Sequence, residues 1–240
     1  MRSAGLSVAR LKVVGFVLVM LSAVASAVGV ARLPENGDAA DLSQLTAVVL
    51  VEAVSWIALP IYAWLLCRGL RHTRSVPRYA LRLALLAVVS EVPYDLATSG
   101  RAWDLSSQNP VFALLVALVV LASLDHLLRG PERHVLGAVA VCVAGVLWLA
   151  LFDVGLRLGV VPTGVVILLF CLVFYFLGSR ENTMMLVGGV LGALALVLPA
   201  VGMVVLHYRN DEPGRPYPRY LFYVLYPVGL LAAALVGAVA

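Results

Sequence analysis

The chain has 240 residues, of which 62% are hydrophobic and 12% are charged. Soluble domains are about half apolar and about a quarter charged, so this composition excludes a soluble globular protein and indicates an integral membrane protein. The formal net charge is +4. The basic residues cluster in short loops between apolar segments, which is typical of membrane orientation and not of nucleic-acid binding.

The three cysteines do not indicate a redox or metal site. They are scattered in or beside apolar segments, at Cys67, Cys142 and Cys171. The sequence contains no Cys-x-x-Cys pair and no Cys/His cluster, so it predicts no metal site. We expect these side chains to be small buried hydrophobic groups.

Eight apolar segments are long enough to cross about 30 Å of hydrocarbon as helices. The sequence therefore predicts an all-α fold, a polytopic membrane helical bundle of about eight transmembrane helices that forms a single domain over residues 1–240. The predicted spans cover residues 11–31, 45–66, 79–97, 109–128, 134–152, 160–178, 183–206 and 219–239. The third and fourth spans are the most polar.

Loop charges predict the orientation of these spans. With the N-terminus in the cytoplasm, eleven of the seventeen Lys and Arg residues lie in inside loops, as expected for cytoplasmic loops. This bias predicts a multi-pass protein of the cytoplasmic membrane with both termini in the cytoplasm. The last predicted outer loop is an exception, because it carries Arg209, Arg215 and Arg219.

The first segment has a second interpretation. Met1 to Ala27 has a basic start, an apolar core and the small-residue sequence AVASA, which together are typical of a cleaved secretory signal. Cleavage would leave seven spans and an outside N-terminus. The apolar run continues to Val30, which favours a retained helix.

The segment from Pro60 to Phe112 carries most of the functional information. It places an arginine-rich loop directly before an apolar helix that contains Glu91 in its middle and Asp95 near its end. An ionised carboxylate at the centre of a membrane helix costs roughly 2.5–3.5 kcal/mol on translocon scales. Such residues usually mark a polar cavity and not a lipid-facing surface.

Four polar residues of this helix are expected to lie together. Helical spacing puts Glu91, Tyr94 and Asp95 on one face, with Ser90 beside them and Pro93 breaking the hydrogen-bond ladder. A kinked face of this kind can bind a cation, relay protons or supply a general base. Alternatively, Glu91 pairs with an arginine of another helix and only fixes the packing.

The loop RGLRHTR before this helix predicts an anion site. Its arginines, with His72 and Thr73, could hold a phosphate-bearing ligand at the cytoplasmic face, such as coenzyme A or an anionic lipid headgroup. The alternative is that the loop only carries the positive charge of a cytoplasmic loop. The basic residues here are Arg68, Arg71, Arg74, Arg78 and Arg82.

Two polar residues precede the fourth predicted span. Gln108 and Asn109 stand immediately before Pro110. Their side chains could cap the following helix or reach into an outer vestibule.

The polar segment resembles the TraX family of membrane proteins. The matching residues are PIYAWLL, the RG and RHTR of the loop, SEVPYDL and QN. A weaker resemblance extends through GVVPTGVVILLFCLVFYF and RYLFYVLYP. The family includes the protein implicated in acetylating the N-terminus of conjugative F pilin.

The resemblance implies a helical membrane fold similar to that of acyltransferases that take acyl groups from coenzyme A on the cytoplasmic side. It implies acetyl-CoA or another acyl-CoA as the co-substrate, and a protein or an envelope glycan as the acceptor. The implied site residues are Arg71, Thr73, Arg74 and Arg78 for the cofactor, Glu91, His72 and Asp95 for catalysis, and Ser90, Tyr94, Gln108 and Asn109 for a polar cavity.

This chain departs from the family pattern at three places. Ser22 and Ala23 stand near the end of the first helix, where the family has an Asp-His pair. Arg68 stands where the family usually has Glu before the Gly of the loop, and Val228 follows Pro227 where a His is common. Imidazole is the usual general base near neutral pH, so either Glu91 and His72 carry the chemistry or it has been lost.

Three functions therefore remain open at this stage. The first is a TraX-like acyltransferase. The second is a non-catalytic membrane accessory subunit that keeps the fold and a ligand pocket. The third is a small transporter or lipid-binding protein. Membrane lipid is an expected partner and nucleic acid is not, while the oligomeric state stays open because the glycines of the seventh segment permit close packing within or between chains.

Overall fold

The computed structural model describes residues 5–31, 42–129, 133–157, 161–218 and 220–239. This part of the chain is predominantly helical, which confirms the predicted all-α class. Its helices are α1 (Val8–Ala31), α2 (Leu42–Ser55), α3 (Ala58–His72), α4 (Val76–Ser99), α5 (Pro110–Arg129), α6 (Val135–Leu151), α7 (Thr163–Leu177), α8 (Glu181–Leu194), α9 (Leu198–His207) and α10 (Leu221–Val239). Two short strands, β1 (Leu156–Arg157) and β2 (Val161–Pro162), pair antiparallel before α7.

Four helical units in the described ranges are long and apolar enough to cross a membrane. They are Val8–Ala31, Thr46–His72, Pro110–Arg129 and Leu221–Val239. These units support a multi-pass membrane protein. The predicted number of eight spans is not confirmed, because several of the other apolar helices are shorter.

The second predicted span is kinked. Between α2 and α3 the backbone hydrogen bonds span three residues instead of four. The N–H of Trp56 donates to the carbonyl of Ala53 at 3.0 Å. Pro60 lies in the first turn of α3, where a helix has no partner for the missing N–H. The kink places Trp56 inside the bundle, where it is buried.

The seventh predicted span is not one helix. A short turn joins α8 to α9, and Leu196 and Val197 in this turn have φ values of 65° and 69°. Pro199 is the second residue of α9, a position that suits proline because no helical N–H bond is lost there. The prediction of a continuous helix over residues 183–206 is therefore wrong.

Helix α9 returns alongside α8. A Cβ placed on Gly192 of α8 would lie 2.7 Å from the Cα of Ala200 in α9. Arg209, just after α9, forms an ion pair with Glu181 at the start of α8, with 2.7 Å between Nη2 and Oε2. The two helices form a hairpin whose two outer ends lie at the same end of the bundle.

The segment after this hairpin packs against the beginning of the chain. The N–H of Val8 donates to the carbonyl of Glu212 at 2.9 Å. Arg68 in the last turns of α3 pairs with Asp211 at 3.5 Å. We call this region the basic end: it holds the start of α1, the end of α3 and the segment 208–215.

Helix α10 runs parallel to α1. The rings of Phe16 and Phe222, near the starts of the two helices, are 5.9 Å apart. A Cβ on Gly237 would lie 2.7 Å from the carbonyl oxygen of Ala27, near their far ends. The start of α1 and the end of α10 therefore lie at opposite ends of the bundle, so the prediction that both termini share one side is not confirmed.

Much of the main hydrophobic core lies among α3, α5 and α7. Phe170, Leu118, Leu121 and Ile61 are fully buried there. Large aliphatic side chains are exposed on the outward faces of α4, α6 and α10, as expected for surfaces that face lipid. The buried centre fixes α3 relative to its neighbours and so positions the site described next.

Candidate functional site

An elongated cavity of about 470 Å³ lies between α1, α3, α4, α5, α7 and α10. Lys12, His72, Thr73 and Arg82 line it at the basic end. Ser22 of α1 lines its deep end, ten residues and about 15 Å of helix beyond Lys12. The walls between these two ends are mostly apolar.

The basic end of the cavity presents two cations from different helices. Lys12 projects from α1 and Arg82 from α4. Neither forms an ion pair with another described residue. By contrast, Arg68 is paired with Asp211. Lys12 and Arg82 are therefore available to an anionic ligand.

His72 has a defined orientation at this end. Its Nδ1 lies 2.8 Å from the backbone carbonyl oxygen of Arg68. Because a carbonyl oxygen only accepts hydrogen bonds, Nδ1 carries a proton and Nε2 is the atom free to meet a ligand. The hydroxyl of Thr73 donates to the carbonyl of Ser75 at 3.2 Å, within the turn that leads to α4.

The other predicted cofactor residues do not line the cavity. Nη2 of Arg71 donates to the carbonyl oxygen of Phe174 at 2.9 Å and so ties α3 to the last turn of α7. Arg74 and Arg78 are exposed on the surface of the basic end. They contribute positive charge near the cavity, but the cavity wall itself is formed by other residues.

The predicted acid Glu91 belongs to a packed polar network. Its Oε2 accepts the backbone N–H of Asn109 at 3.2 Å. Asn109 also caps α5, since its Oδ1 accepts the N–H of Val111 at 3.0 Å. Its Nδ2 donates to Ser90 Oγ at 2.8 Å, and its Oδ1 accepts the hydroxyl of Tyr226 at 2.9 Å. Glu91 is thus connected to the cavity only through Asn109 and Tyr226, of which Tyr226 lines the cavity.

Asp95 and Tyr94 pack against the loop before α5. The N–H of Asp104 donates to Asp95 Oδ2 at 3.0 Å, and the Tyr94 hydroxyl lies 3.2 Å from Ser107 Oγ. Asp95 Oδ1 is buried with no partner among the described residues. In the same loop, the hydrogen bond from the N–H of Ser106 lowers the pKa of Asp104 below its ordinary value.

The structure does not bring all of the predicted site residues together. His72 and Thr73 line the cavity. Ser90, Glu91 and Asn109 form the network beside it, while Gln108 makes main-chain hydrogen bonds to Asp153 and Gly155. Among the described residues, no three His, Cys, Asp or Glu side chains are grouped to hold a metal ion.

Several cavity residues were not predicted from the sequence. Lys12 had a usable signal, because it is a cation at the second position of the first predicted span. Ser22 had an indirect signal, because it stands where the resembled family has an Asp-His pair. Trp56 had none, since a lone Trp in an apolar segment does not reveal which face it occupies. Tyr226 lies in the RYLFYVLYP segment. The weaker family resemblance of this segment did not indicate a role for any single residue.

Comparison with known proteins gives one match. The model of a family described as TraX protein matches residues 38–237. No curated protein and no solved structure matches the chain. The matched range includes α2 to α9 and most of α10, and therefore most of the cavity wall.

Proposed function

This chain belongs to the TraX protein family, and we propose that it is a membrane acyltransferase that uses acetyl-CoA or another acyl-CoA. The proposed acceptor is a protein or an envelope glycan, and the proposed location is the cytoplasmic membrane with the basic end inside the cell. The observation that carries the proposal is the elongated apolar cavity whose basic end holds two cations, neither of which forms an ion pair with another described residue.

The cations suit the phosphates of coenzyme A. Lys12 and Arg82 line the cavity from different helices, so together they can contact one anionic ligand. Hydrogen bonds to charged groups are among the strongest in proteins. Nε2 of His72, held in place by the bond from Nδ1 to Arg68, can add a further contact.

The apolar wall suits the pantetheine arm and the acyl group. Phe16, Leu65, Leu86 and Phe222 are among the side chains that line this part of the cavity. An arm that extends from phosphates at Lys12 would carry its thioester about 15 Å inward, to the level of Ser22. In this arrangement His72 binds the phosphates and lies too far from the thioester to act as its base.

Coenzyme A binding by the purified full-length protein tests the proposal. We expect Lys12→Ala with Arg82→Ala to weaken binding about tenfold or more, because a hydrogen bond to a charged group contributes about 1.5–3 kcal/mol. Isothermal titration calorimetry in detergent measures the effect. Arg129→Ala is the matched control, since Arg129 is 73% exposed and pairs with Asp125 outside the cavity. Absence of binding to the unaltered protein at millimolar coenzyme A would contradict the proposal.

A second candidate is a non-catalytic relative that keeps the coenzyme A site. It is favoured by the position of Glu91, which does not line the cavity. It is also favoured by the deep end, where the described lining residues include no imidazole and no carboxylate. Membranes incubated with labelled acetyl-CoA separate the two candidates: transfer of the label to protein or glycan supports the acyltransferase, and binding without transfer supports the non-catalytic relative.

A further inference from the structure

The deep end of the cavity contains more polar groups than its apolar surroundings require. Five side chains with a hydroxyl or an indole N–H line this region. Three of them already donate hydrogen bonds to protein oxygens: Ser55 to the carbonyl of Glu52, Thr163 to the carbonyl of Gly155 and Tyr226 to Asn109 Oδ1. Their hydroxyl donors are used in the fold itself.

The remaining two groups are Ser22 Oγ and Trp56 Nε1. The side chains of Ser22 and Trp56 are 2% and 5% exposed, and neither polar atom has a hydrogen-bond partner among the described residues. A serine inside a helix commonly donates to the carbonyl four residues earlier, but Ser22 does not. Buried polar groups without partners are rare in native proteins and often belong to functional sites.

These two groups come from different parts of the chain. Ser22 lies on α1, and Trp56 lies at the kink between α2 and α3. Both residues nevertheless line the same end of one cavity. Two independent elements therefore direct unsatisfied polar residues to a single region, which points to a ligand group at that position.

The chemistry of the two groups restricts what that ligand group can be. An indole N–H is only a donor, and a serine hydroxyl can donate as well. The ligand group is therefore an acceptor. With apolar neighbours and no lysine or arginine lining this end, an uncharged acceptor such as a carbonyl oxygen fits better than a carboxylate or a phosphate.

We propose that Ser22 Oγ and Trp56 Nε1 bind the carbonyl oxygen of the acyl thioester. This inference rests on the proposed function, since it places the phosphates at Lys12 and Arg82. The distance of about 15 Å along α1 from Lys12 to Ser22 corresponds to an extended pantetheine arm.

The same two donors would assist acyl transfer. The acceptor's nucleophilic atom forms a bond to the carbonyl carbon, and negative charge collects on the oxygen that the two donors face. The C–S bond then breaks, and its electron pair leaves with the coenzyme A sulfur. The departing thiolate takes up the proton that the acceptor loses, so no other reactant is needed.

The test compares two ligands that differ at the carbonyl. Acetyl-CoA carries the oxygen, and S-ethyl-CoA is a thioether without it. The unaltered protein should bind acetyl-CoA about threefold to tenfold more tightly than S-ethyl-CoA, as expected for one or two neutral hydrogen bonds. Ser22→Ala and Trp56→Phe should each reduce this ratio toward one, while the affinity for S-ethyl-CoA changes little.

Three variants serve as controls. Ser22→Thr keeps the hydroxyl and should keep the preference for acetyl-CoA. Ser55→Ala removes a hydroxyl from the same region that already donates to Glu52, so the ratio should stay the same. Trp148→Phe makes the same substitution at a tryptophan that is 55% exposed. Melting temperatures of all the variants show whether they are folded.

The outcomes are distinct from those that test the proposed function. Equal affinities for both ligands in the unaltered protein, or ratios that Ser22→Ala and Trp56→Phe leave intact, would overturn the inference while coenzyme A binding stands. Failure of every coenzyme A species to bind would overturn both proposals.

Discussion

Asn109 connects several helices of this protein, and the sequence around it does not indicate most of these contacts. It is fully buried and connects α4, the start of α5 and α10 through bonds to Ser90, Val111 and Tyr226. Its position directly before α5 is typical of a helix cap. Its other partners lie 19 and 117 residues away, which local sequence does not predict.

Replacement of Asn109 should destabilise the protein. Asn109→Ala removes the acceptor for two donors and the donor to Ser90, so we expect a loss of roughly 2–4 kcal/mol in the free energy of unfolding. Thermal unfolding in detergent measures the change. Gln108→Ala is the control, since the main-chain hydrogen bonds of Gln108 persist with alanine. Equal melting temperatures for the two variants would contradict the structural role of Asn109.

At the level of single residues, the sequence predicted the unusual groups but not their environment. Glu91 and Asp95 were recognised as costly in an apolar helix, and both are buried. The structure surrounds them with backbone donors from Asn109 and Asp104. The predicted alternative of an arginine partner for Glu91 does not occur among the described contacts.

At the level of helices, the effect of a proline depends on its position. Pro60 and Pro199 lie in the first turns of α3 and α9, where a missing N–H costs little. Pro93 and Pro227 lie within the continuous helices α4 and α10, where each removes a hydrogen bond. All four look alike in an apolar segment, so sequence alone did not distinguish a new helix from a kink.

Two glycines of α8 provide a matched test of the hairpin. A Cβ on Gly192 would lie 2.7 Å from the Cα of Ala200, whereas a Cβ on Gly189 would meet nothing within 4 Å. We expect Gly192→Ala to cost about 1–3 kcal/mol through overpacking. Gly189→Ala should be neutral, or stabilising by about 0.5–1 kcal/mol, because alanine favours the helix. The two melting temperatures check this, and equal values would contradict close packing of α8 against α9.

For the whole molecule, the hairpin changes the arrangement of the chain relative to the membrane. The start of α8 and the end of α9 lie on the same side of the bundle. For this reason α10 starts at the basic end and runs parallel to α1. Arg209 and Arg215, an exception to the charge rule in the eight-span arrangement, then lie with the other basic loops. The charge distribution agrees better with this arrangement than with the predicted one.

Labelling of introduced cysteines in the full-length protein tests this arrangement, since Cys67 and Cys171 are buried. Ser179→Cys, Arg215→Cys and Trp103→Cys place thiols at three exposed positions. Cys142 is replaced by alanine in each variant. A maleimide that does not cross membranes should then label positions 179 and 215 from the same side of the membrane and position 103 from the other side. A helix that crossed the membrane over residues 183–206 would instead group position 215 with position 103.

The sequence by itself determined the membrane class and the helical fold, because hydropathy, helix length and loop charge are local properties. The motifs of the polar segment indicated the family. The sequence also located the basic loop and the buried acids. Only the tertiary structure decided that the seventh segment folds back, that Glu91 faces Asn109 and that Lys12, Arg82, Ser22 and Trp56 share one cavity. These features arise from packing between residues far apart in the chain, where many pairings satisfy the same apolar pattern.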